Sequence, residues 1–97
     1  MAPVGLGDLA AAARALMAVP AHRRAGLMRA MIGEADLAYR YWQGCGRLHP
    51  GFGNGTLMSA ALAHPQRRDG GAGDELYLAC LAEALEAVIA WRAGRSD

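Results

Sequence analysis

The chain has 97 residues with ten basic and nine acidic side chains, a net charge of +1, which leaves room for one domain and argues against a general nucleic-acid coater. Two cysteines, Cys45 and Cys80, are too few and too scattered for the disulfide framework of a secreted protein. The first residues lack a signal-peptide pattern and no apolar run reaches the ~20 residues that span a bilayer, so no membrane association and a cytoplasmic location are expected.

Alanine supplies much of the 54% hydrophobic content and β-branched residues are scarce, which favours helix throughout. Asp8 can cap a first helix that carries Leu9, Ala12, Ala13, Leu16 and Met17 at helical spacing and stops near Ala18, ahead of Val19-Pro20. A second and longer helix is expected from Ala21 to Gln43. Leu27, Met28, Met31, Ala35, Ala38, Tyr39 and Trp42 form its apolar face, opposite Arg29, Gly33, Asp36, Arg40 and Gln43. Asp36 and Arg40 are spaced for an exposed ion pair, and close helix packing would justify Gly26 and Gly33. Gly44 and Gly46 are two candidate C-caps.

Four glycines and a proline between Gly46 and Thr56 exclude regular structure there. Asn54 or Thr56 can then cap a short third helix, Leu57 to Ala63, which ends before Pro65. Gln66 to Gly73 reads as a mobile polar loop. Asp74 caps a fourth helix, with Tyr77, Leu81, Ala84, Leu85, Val88 and Trp91 inward, Glu83 and Glu86 outward, and Gly94 at its end. The expectation is one all-α domain over residues 1–97. It is a small four-helix bundle of two long and two short helices, with a long glycine-rich central loop and frayed termini at 1–7 and 94–97.

No catalytic or metal-binding motif is complete, and no cofactor is expected. Cys45 and His49 are four apart, but a nucleophile needs a base, an orienting group and oxyanion donors, and the chain between them is broken by glycine. The histidines and cysteines contain no zinc spacing, and Cys80 reads as a small buried hydrophobe. Three patterns remain open. Tyr41, Arg47, His49, Phe52, Asn54 and Thr56 combine the residue types found at protein-binding hot spots with a glycine-rich loop. Arg23, Arg24 and Arg29 sit near the start of a helix after a tight turn, as in a nucleic-acid-binding regulator. The glycine loop running into a helix start, with Arg47, His49 and Thr56, could present N–H groups to an anion or nucleotide.

The stretch from Arg40-Tyr41-Trp42 through Gly46-Arg47-Leu48-His49-Pro50-Gly51-Phe52-Gly53-Asn54-Gly55-Thr56-Leu57-Met58 resembles a family of short, uncharacterised helical proteins of Rhodobacter-type alphaproteobacteria. That family carries a Gly-Arg-x-His-Pro motif followed by Gly-Asp/Asn-Gly-Ser/Thr-Leu. Arg47, His49, Pro50, Gly53, Asn54, Gly55 and Thr56 match it. The resemblance implies a small helical domain and a link to gene-transfer-agent or phage-like regulation. The leading expectation is a non-enzymatic module, a regulatory accessory factor, that binds a protein partner through Tyr41–Thr56; a homodimer is left open.

Overall fold

The computed structural model describes residues 1–95, with helices α1 (Leu6–Met17), α2 (Ala21–Cys45), α3 (Leu57–Leu62) and α4 (Glu75–Arg95) and one 3-10 turn at Gly71–Gly73. No strand occurs among the described residues, and the all-α class read from the sequence is the class observed.

The helix ends follow from local hydrogen bonding. Gly5, rather than Asp8, is the N-cap of α1; Asp8 lies inside the first turn and its Oδ2 accepts the Gly5 amide at 2.8 Å. The other carboxylate oxygen, Oδ1, accepts the Met58 amide at 2.9 Å, so one side chain serves the starts of both α1 and α3. Of the two candidate glycines, Gly46 ends α2, with φ +70 and its amide on the Trp42 carbonyl at 2.7 Å. Thr56 caps α3 through Oγ1, which accepts the Ser59 amide at 3.1 Å. Asp74 caps α4, its Oδ1 taking the amides of Leu76 and Tyr77 at 3.1 and 3.2 Å. Gly94 does not end α4, which continues to Arg95; Ser96 and Asp97 lie outside the described residues.

The packing centres on α1. Leu9, Ala11, Ala12, Ala13, Ala15, Leu16 and Met17 are all buried, so this helix is covered on most sides rather than along one stripe. It packs most extensively on α3 and α4, and less on α2. Methyl side chains permit that close approach from several directions at once. Met28, Met31 and Ile32 of α2, Leu57 and Ala61 of α3, and Cys80, Ala84 and Val88 of α4 complete the core. Each large aliphatic side chain fully buried here stabilises the fold by roughly 1.5–3 kcal/mol.

Two expected core residues lie outside it: Trp42 of α2 is 47% exposed and Leu85 of α4 is 46% exposed. For Trp42 the reason is length. At ~1.5 Å per residue, the 25 residues of α2 span about 37 Å and the 12 of α1 about 18 Å, so the far end of α2 outruns the body it packs on. Every residue from Arg40 to Leu48 is exposed.

The chain start and the 66–73 loop, expected to fray or move, are tied down. The Ala2 amide donates to the Gly55 carbonyl at 2.9 Å, and the Met1 ammonium binds Asp36. Gln66 donates its amide to the carbonyls of Ala11 (3.1 Å) and Ala61 (2.9 Å), and the Arg67 amide reaches the Arg14 carbonyl at 3.0 Å. Asp36 does pair with Arg40 at 2.9 Å, but its side chain is only 13% exposed. Burial opposes its ionisation; the Met1 ammonium, Arg40 and Arg95 outweigh burial and hold the carboxyl below its ordinary range. Packing does not justify the helix glycines. A Cβ at Gly33 would meet nothing within 4 Å, and one at Gly26 would touch only the end of Arg29.

Candidate functional site: the overhang of α2 and its glycine loop

The last turns of α2 and the loop from Arg47 to Gly55 form a knob beside the body. The loop folds back onto the helix that precedes it, and one glycine allows this. Gly55 is buried with φ +88, and a Cβ there would lie 2.7 Å from the Tyr39 Cα, so the loop backbone rests directly on α2. Gly53, with φ +83, sits against Ser59 in the same way.

His49 organises the turn. Its amide and carbonyl exchange hydrogen bonds with Gly53 at 3.0 and 3.1 Å, closing a one-bridge hairpin. Its Nδ1 accepts the amides of Gly51 and Phe52, both at 3.0 Å. An acceptor at Nδ1 carries no proton in the neutral ring, which places the ring proton on Nε2. The imidazole stacks on Phe52 with centroids 4.8 Å apart and takes Tyr41 edge-on at 5.1 Å. Tyr39 and Trp42 stack separately at 6.3 Å.

Asn54 closes the loop as an Asx turn: its Oδ1 accepts the Thr56 amide at 3.1 Å and the Thr56 hydroxyl at 2.7 Å. The predicted site residues therefore divide by role. Tyr41, His49 and Phe52 form one aromatic cluster, while Asn54 and Thr56 hold the backbone and cap α3. Arg47 stands exposed just beyond the Gly46 cap. Trp42 and Leu48, the latter 64% exposed, belong to this surface too and were not among the predicted residues. The helical spacing of Trp42 matches the core stripe, and only the mismatch in helix lengths signals that it has no core to enter.

The anion reading meets an obstacle in this geometry. The amides of Gly51, Phe52, Gly53, Thr56 and Ser59 all bond within the loop and its cap, and the Asp8 carboxylate occupies the start of α3. An incoming anion would have to displace these acceptors, one of them itself an anion.

His49 is equally committed: its Nδ1 serves the backbone, and no hydrogen bond links it to the exposed Cys45 among the described residues. Cys80 is buried, and burial pushes its thiol above the ordinary range, the opposite of nucleophile activation. No group of three or more His, Cys, Asp or Glu residues suited to a metal gathers among the described residues.

The arginine cluster on α2 separates. Arg23 and Arg29 are exposed and flank a shallow depression with His22 and Gly26. Arg24 turns back instead, its Nε donating to the Leu16 carbonyl at 3.0 Å at the end of α1. No helix among the described residues is long and apolar enough to cross a membrane.

Residues 2–88 match the family described as a domain of unknown function, DUF7742, and the chain belongs to that family. No curated protein and no solved structure matches it.

Proposed function

We propose that this DUF7742 protein is a non-enzymatic interaction module, a regulatory accessory factor that docks a protein partner on the knob made by Tyr41–Thr56. One observation carries the reading: Tyr41, Trp42 and Leu48 are exposed beside Arg47 on a segment whose backbone is already fixed by its own hydrogen bonds. Tyr, Trp and Arg are the side chains that most often dominate interface energies. A loop ordered before contact loses less entropy on binding, so more of the contact energy appears as affinity. The partner would be a cytoplasmic protein, and the resemblance in the loop motif directs the search to gene-transfer-agent or phage-like regulation. The nucleic-acid alternative is weaker because Arg24 spends its guanidinium on α1, leaving Arg23 and Arg29 on that face.

The test is affinity capture of the tagged protein from native lysate with and without nuclease, alongside folded Trp42→Ala and Arg47→Ala variants. A stoichiometric protein that survives nuclease and is lost with either variant supports the proposal. Retention of every partner by both variants would sink it, and partners that vanish with nuclease would transfer the function to Arg23 and Arg29.

A further inference from the structure

The Nδ1 atom of His49 is an acceptor that a single proton abolishes. Its lone pair holds the amides of Gly51 and Phe52, both at 3.0 Å, and the half-buried ring lies against Phe52 and Tyr41. Nε2 carries the proton of the neutral ring and has no hydrogen-bond partner among the described residues. A second proton can therefore add only at Nδ1, and an imidazolium has two donors and no acceptor. The closed turn and the charged ring exclude one another, because the new N–H would point at two others.

We propose that this turn is a proton-operated latch: the knob is ordered for docking while His49 is neutral and is released when His49 takes up a proton. The surroundings offer the charge little in return. Tyr41 and Cys45 on α2 and Arg47 in the loop are the titratable or charged side chains closest to it in the chain, and none of them is an acid. Arg40 is paired with Asp36, α3 carries no titratable side chain, and Asp8 at its start bonds Gly5 and Met58. No ion pair reaches His49 among the described residues. The face of Phe52 attracts a cation, but weakly at a site open to water, and two amides turned against the charge outweigh it.

Release is confined to the turn. The seat of Gly55 on Tyr39, the Asn54 acceptor and the Thr56 cap of α3 do not use the imidazole, so they persist when it is charged. The sign follows from proton uptake: the opened loop binds a proton that the closed turn does not. Closure is therefore fully favoured above the ~6.5 of an imidazole in water and weakens about tenfold per pH unit below it. As a control on docking the latch rests on the protein-partner reading of the knob; as a property of the turn it does not.

Amide exchange at Gly51 and Phe52, each rate divided by that of an unstructured peptide at the same pH, tests the proposal on the purified protein from about pH 7.5 to about pH 5. The expected result is an opening equilibrium that grows about tenfold per pH unit below about pH 6.5, while Leu16 in α1 stays protected. The imidazole nitrogen resonances of His49 should record protonation in step with that opening. His49→Asn sets a side-chain oxygen, which takes no proton in this range, in the place of Nδ1. Its turn loses the ring contacts and is looser at neutral pH, but its opening should be flat with pH. His64→Gln, which removes the imidazole bonded to Glu34 at 2.8 Å, should keep the slope. A flat response in the unaltered chain overturns the proposal, as does a slope that survives His49→Asn or one shared equally by Leu16. Partner capture repeated at the acid end reads the docking consequence separately, so failure of the latch and failure of the partner reading are distinguishable.

Discussion

The body around α1 and the knob at the end of α2 are held together by different forces. In the body, alanines, leucines and methionines are removed from water and the backbone is satisfied by helix. In the knob the large side chains stay half in solvent, and cohesion comes from hydrogen bonds to His49 and Asn54 and from the seat of Gly55 on α2. Hydrophobic burial is non-directional and accepts only limited change in volume. A hydrogen-bonded turn tolerates change in its outward side chains but not in the few atoms that close it. The same type of substitution should therefore have very different consequences in the two regions.

The sharpest way to break the comparison is a pair of truncations. Leu16→Ala, in the body, should cost about 2–5 kcal/mol of unfolding free energy, because the cavity is walled by helices that cannot collapse into it. Trp42→Ala, which removes a larger side chain from the knob, should stay within about 0.5 kcal/mol. Denaturant titration measures both, and a large loss for Trp42→Ala would mean the knob is part of the core.

His49→Ala is next in size, at about 1–2 kcal/mol, since it leaves two amides without an acceptor and unstacks Phe52. The loss should be local: amide exchange at Gly51 and Phe52 should accelerate while exchange in α1 stays slow. Uniform acceleration in both regions would show that they unfold as one unit.

Asp36 links the regions, joining the chain start to α2 and α4 through Met1, Arg40 and Arg95. Its carboxyl is depressed in the folded state, so the stability it contributes is fully present above the unfolded value of ~3.9 and is lost as pH falls through the lower folded value. Asp36→Asn should lower stability at neutral pH by about 1 kcal/mol and flatten the acid limb of the stability curve below about pH 4. An unchanged acid limb, followed by thermal unfolding from pH 2 to 7, would remove Asp36 from this role.

Gly33→Ala is the smallest and has the opposite sign. Nothing lies within 4 Å of the added methyl, so it should raise stability by about 0.5–1 kcal/mol through helix propensity. A destabilised variant, measured by the same denaturant titration, would mean that this face of α2 is covered in solution.

The four helices, three of their caps and most of the α2 stripe were legible because they depend on residues close in the chain: Gly46 as the end of α2, Thr56 before α3, Asp74 before α4. What could not be read depends on what stands opposite. Alanine is acceptable in a core or on a surface, so the alanines of α1 gave no sign that the helix is covered on most sides. Trp42 and Leu85 have core spacing, but spacing gives a direction along a helix and not the presence of a neighbour. Arg24 looks like its neighbour Arg23 until the Leu16 carbonyl is placed beside it. In the candidate site, the arginine, histidine and glycines were visible as a cluster. The function of His49 as a backbone acceptor was not, since it depends on the His49–Gly53 hydrogen bonds that fold the turn back over the ring and on Phe52 standing against the imidazole.

The two indoles of the chain are divided between the two regions. Trp42 stands on the knob, while Trp91 packs on the body beneath the Arg95 guanidinium, 4.8 Å from the ring centroid. With Trp91→Phe the remaining emission comes from the knob alone, and with Trp42→Phe from the body alone. The protein thus carries a built-in optical label for each region, and a partner arriving at the loop can be distinguished from a loosening core without attaching any dye.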